Sequence, residues 1–67
     1  MLRGTLLRIK GTPDNHHDVD MLERHGRLWI YRHGSLGSTV TVKSLATGMV
    51  WTWHGYDLEE DTNGQEG

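Results

Sequence analysis

The residues of this chain with the most chemistry to offer are five histidines, His16, His17, His25, His33 and His54, with Asp14, Asp18 and Asp20 gathered around the first pair. Zinc or nickel needs three or four donors converging at about 2.0–2.2 Å, usually supplied two at a time from i,i+2 on a strand or i,i+4 on a helix. Adjacent His16 and His17 point apart on an extended backbone, and the other three fall in separate segments. They read as solvated loop residues, so no metal site is expected. Covalent chemistry has little to start from, because there is no Cys, no Gly-x-Ser-x-Gly elbow and no Ser/His/Asp set whose spacing nominates a triad. The expectation is a protein that is not an enzyme and carries no cofactor.

Aromatic and cationic residues form the second constellation. On an extended run from Met49 to His54, Met49, Trp51 and Trp53 share one face while Val50, Thr52 and His54 share the other. In Arg27-Leu-Trp-Ile-Tyr-Arg32, Leu28 and Ile30 likewise oppose Trp29 and Tyr31. Both faces of each run carry bulk, yet a small sheet has one interior, and two placements follow. In the first, Trp51 and Trp53 fill the core with Ile30, and Trp29 and Tyr31 cap it. In the second, Trp29 and Tyr31 stand exposed with Arg27 and Arg32 as a partner-binding patch, since Trp, Tyr and Arg are the residues that most often anchor interfaces.

Charge is distributed unevenly along the chain. All seven Lys and Arg lie at or before Lys43, whereas Asp57, Glu59, Glu60, Asp61 and Glu66 make the far end acidic. Residues 61–67 hold no apolar side chain to offset the entropy of ordering them, so a disordered acidic tail is expected after a single domain over residues 1–60. Glu59 and Glu60 are the candidates for steering the protein onto a basic partner. The same aromatic and Arg patch supports an alternative, a small barrel that stacks single-stranded nucleic acid. A pI near 6.2 argues against that alternative, because dedicated nucleic-acid binders are usually basic.

The elements that must position these residues are read from period-2 alternation. With 67 residues and 34% hydrophobic content, one thin core is all that can be built. Thr5, Leu7 and Ile9 share one face of a first strand, which ends at the turn cluster Gly11-Thr-Pro-Asp-Asn15. Val19–Glu23 is expected as a second strand. Its rival is a short helix from Asp18 as N-cap to Gly26 as stop, which offers few apolar positions for a stable face. Arg27–Arg32, the run with Val40 and Val42, and Met49–His54 follow as the third, fourth and fifth strands, with Gly55–Glu59 as a single 3₁₀ turn or a last edge pairing. Met1–Lys10 is broken by charge and Gly well short of a signal sequence or membrane span, so a soluble cytoplasmic protein is expected.

The pattern Val-x-Val-x-x-Leu-x-Thr-Gly-x-Val-Trp from Val40 to Trp51, followed by Tyr56-Asp-Leu-Glu59, resembles the closing half of small SH3-like barrels. Gly11 to His25 lacks the Ala-Leu-Tyr-Asp-Tyr-type signature of proline-binding SH3 domains, so no individual functional residue is carried over. What the resemblance implies is a binding module. The expected fold is all-β, a five-stranded antiparallel meander closed as an SH3-like barrel. The expected function is non-catalytic protein binding through Arg27, Trp29, Tyr31, Arg32, Glu59 and Glu60, with no membrane contact. A small Cys-free chain of this kind suits a phage or other mobile element that binds and occludes a host protein.

Overall fold

A computed structural model describes residues 2–61. Five strands form one antiparallel sheet: β1 (Leu6–Ile9), β2 (Leu28–Gly34), β3 (Thr39–Ser44), β4 (Val50–His54) and β5 (Leu58–Glu60). A ten-residue helix, α1 (His16–His25), lies between β1 and β2, and a single 3₁₀ turn, Gly55–Asp57, joins β4 to β5. No helix among the described residues is long and apolar enough to cross a membrane.

The expected all-β sheet is present, but two of its parts are arranged differently. Val19–Glu23, expected as a strand, lies inside α1. The helix is closed at both ends: the Asn15 side chain accepts the His17 N–H at 2.8 Å, and the Gly26 N–H, at φ 80°, donates to the Leu22 carbonyl at 2.8 Å. Asp18 in the first turn and Arg24 and His25 in the last complement the helix dipole, and Asp20 pairs with Arg24 one turn on. Its apolar face is narrow, as the sequence indicates, but burying Met21 with Leu22 packed beside it suffices. The cap is Asn15, one turn earlier than Asp18.

The second difference is the path of the last strand. β1 to β4 pair as neighbours, but the sheet order is β4-β3-β2-β1-β5, so the chain returns to the far edge and β5 pairs with β1 rather than continuing the meander. Ile9 faces Leu58, Arg8 faces Glu59 and Leu7 faces Glu60. The pairing extends past β5, because the Asp61 N–H donates to the Leu6 carbonyl at 2.9 Å and Asp61 is 8% exposed. Asp61 is therefore part of the folded body and not the start of a tail; residues 62–67 lie outside the described residues.

Register decides which face is buried. Leu7 pairs with Trp29, Trp29 with Ser44, Tyr31 with Val42, Val42 with Trp51 and Val40 with Trp53, so these residues share the inner face. With Ile9, Leu58 and Met21 they build the core, in which the Trp29 and Trp53 rings meet edge to face at 5.6 Å. Trp53 is buried as expected, whereas Trp51, also expected to fill the core, packs half-buried at its margin. Ile30 is not in the core: it pairs with Leu6 and Lys43 on the outer face and is half-buried.

Replacing Trp29 by Ala should therefore cost about 3–5 kcal/mol, which matches the whole stability of a domain this small, whereas Ile30→Ala should cost about 1 kcal/mol. Urea titration followed by circular dichroism is expected to show no cooperative transition for the first variant and a modestly lowered midpoint for the second.

Candidate functional site

The six residues expected to meet a partner do not form one surface. Trp29 is fully buried, and its indole N–H donates to the Gly26 carbonyl at 3.1 Å, so it serves the core and the end of α1. This corrects the exposed placement; Trp29 is held inward because it pairs with Leu7 and Ser44. Tyr31 is half-buried on the same face, and its hydroxyl donates to the Gly34 carbonyl at 2.6 Å. Arg27 is exposed, but its guanidinium donates to the carbonyls of Ile9 and Gly11 at 3.2 and 2.7 Å and ties down the end of β1. Arg32 sits at the bulge in β2 between Tyr31 and His33. Glu59 accepts from Arg8 at 2.5 Å across the β1–β5 pair. That hydrogen bond, with the attraction of the same carboxylate and a smaller contribution from Asp61, raises the pKa of Arg8, which stays charged. Glu60 is exposed on the edge strand.

A surface that sequence reasoning did not single out is the cleft between the N-terminal end of α1 and the 3₁₀ turn. It encloses about 300 Å³, with Pro13, Asp14 and Asp18 on one wall and His54, Tyr56 and Asp57 on the other. Tyr56 is 70% exposed, and its ring stacks on His54 with centroids 5.1 Å apart and planes within 7°. Three carboxylates and an exposed aromatic ring thus share the lining of one recess, which makes it electronegative. Such a recess takes a guanidinium or ammonium group, which gains from the carboxylates and from the ring face together.

Comparison with protein-family models, curated proteins and solved structures finds no match to this chain. The site therefore rests on its geometry. Among the described residues no group of three or more His, Asp or Glu side chains is placed to hold a metal ion. His25 Nδ1 and Thr47 Oγ1 stand 2.6 Å apart, but this contact clips the end of α1 to the β3–β4 turn. Ser44 reinforces the clip: its buried hydroxyl donates to the His25 carbonyl at 2.7 Å and accepts the N–H groups of Ala46 and Thr47.

Two close packings hold the cleft walls. α1 is fixed at its C-terminal end by that clip and by Trp29, which leaves its N-terminal end directed at the recess. The 3₁₀ turn is set by Gly55, which is buried, donates to the Ser38 carbonyl at 2.7 Å and lies so close to Leu36 that a Cβ there would run into the Leu36 carbonyl. A sequence signal for the cleft exists in the Asn15 cap, which implies a helix start beside Asp14 and Asp18. The approach of Tyr56 to that start comes only from the fold.

Gly55→Ala should thus be destabilising by about 1–3 kcal/mol, as for overpacking at a tight site, whereas Gly37→Ala, whose Cβ would find its nearest neighbour at 3.7 Å, should be close to neutral. Thermal melts of the two variants check this, and equal midpoints would show that Leu36 yields freely.

Proposed function

We propose that this chain is a non-catalytic protein-binding module that receives a basic segment of its partner in the cleft between α1 and the 3₁₀ turn. The observation that carries the reading is the exposed Tyr56 ring, stacked on His54 and lining one cleft with Asp14, Asp18 and Asp57. A solvent-exposed aromatic beside a recess is the usual anchor of an interface, and the carboxylates select a cationic side chain over an anionic one. The SH3-like resemblance supports a binding role as well. Mechanistically the module acts by occlusion, covering a basic surface of the partner. The nucleic-acid alternative relied on an exposed Trp29 as a stacking platform, and that ring is buried.

A test uses a short Arg-containing peptide, a Glu-containing counterpart and a single-stranded RNA, each titrated against the isotopically labelled protein. The Arg peptide should shift amide signals around Asp14 and Tyr56. A chain carrying Asp14→Asn, Tyr56→Ala and Asp57→Asn should bind it about tenfold more weakly or worse. Raising salt should weaken the wild-type complex. Equal binding of the acidic peptide, or shifts that map to the outer face of the sheet, would overturn the assignment of the cleft; a tighter complex with RNA would favour the alternative.

A further inference from the structure

The two edges of the sheet are built differently. β5 is three residues long and carries Glu59 and Glu60, a short, charged edge of the kind that discourages pairing. β4 is five residues, Val50-Trp-Thr-Trp-His54, with no Lys, Arg, Asp, Glu or Pro and an unbroken register with β3. Its bonds to β3 are bracketed by Ser44 N–H donating to Met49 C=O at 2.8 Å and Gly55 N–H donating to Ser38 C=O at 2.7 Å. The alternation of an antiparallel ladder then turns the N–H and C=O groups of Val50 and Thr52, and the N–H of His54, away from β3. No backbone bond from another element among the described residues takes them up. Val50 is 49% exposed, and Thr52 and His54 are exposed.

We propose that β4 pairs antiparallel with β4 of a second copy of this chain, with the two-fold axis at Thr52, so that the two sheets become one. In this register the strand is its own complement. Thr52 meets the partner's Thr52 through a reciprocal pair of backbone bonds, and His54 N–H donates to the carbonyl of the partner's Val50. Thr41 Oγ1 and Thr52 Oγ1 already stand 3.4 Å apart across β3 and β4, so self-pairing extends them into a file of hydroxyls running through the interface. On the inner face the half-buried Trp51 comes opposite the partner's Trp53, which is already buried in its own core. Charge favours a second copy over a foreign strand: an uncharged edge imposes no like-charge repulsion on itself and offers no countercharge to a basic or acidic peptide.

Sedimentation velocity on the full chain between about 10 µM and 1 mM tests the pairing over the range expected of a small interface. The wild type should pass from monomer to dimer with concentration. Thr52→Lys and Thr52→Glu each place like charges against each other at the axis and should weaken dimerisation about tenfold or more, and an equimolar mixture of the two should restore it. Circular dichroism of each variant confirms that it folds. Should either fail to fold, amide exchange of the wild type gives a separate reading: protection at Thr52 should rise with concentration while that at Glu60 does not. A wild type that stays monomeric throughout would overturn the proposal. So would a dimer untouched by either charge, substituted chains that remain apart when mixed, or Thr52 exchange that ignores concentration.

Discussion

Everything in this structure hangs on the burial of one ring. Trp29 lies between Leu7 on β1 and Ser44 on β3, meets Trp53 edge to face, and holds the Gly26 carbonyl through its indole nitrogen. A chain of 67 residues without a single Phe has few ways to fill a core, and a large ring at the centre excludes the most water per residue spent. The polar end of that ring then does what an aliphatic side chain could not: it fixes the end of α1, adding to the hold that Met21 gives through the helix's narrow apolar face. His25 completes the arrangement, its ring lying edge-on to Trp29 at 6.3 Å.

The cleft inherits its shape from this core. Its two walls belong to segments some forty positions apart, and each is set by a contact remote from the recess. Asp14 and Asp18 stand where they do because the opposite end of α1 is clipped to Thr47 and Ser44. Tyr56 projects because Gly55 beneath it is pressed against Leu36 in the β2–β3 turn. The side chains offered to a partner therefore carry little of the burden of folding, and the residues that carry it are hidden.

Much of the sheet was legible in the sequence because alternation is a local signal. Leu7 and Ile9, Val40 and Val42, and the turn at Gly48 all lie as their spacing indicates. β2 was ambiguous for a physical reason: Leu28, Trp29, Ile30 and Tyr31 put bulk on both faces, and only pairing with Leu7 and Val42 chooses between them. That choice moved Trp29 from the expected interface to the core. The helix is only half legible: Gly26 marks its stop, but its N-cap, Asn15, is an ordinary turn residue and its stability comes from tertiary burial of Met21, which outweighs the narrow apolar face that favoured a strand. The return of β5 to β1 has no local signature at all. The cleft, which depends on both the helix and that return, could not be assembled from the sequence.

That return also sets a timetable. Arg8 and Glu59, partners across the β1–β5 pair, are 51 positions apart, and Ile9 gains its neighbour Leu58 only when almost all of the described chain exists. β1 keeps one edge unpaired until Leu58–Glu60 arrives, while the β2–β4 hairpins form from nearby residues. The contact that closes the core spans nearly all of the described residues, so its closure is slow relative to hairpin formation.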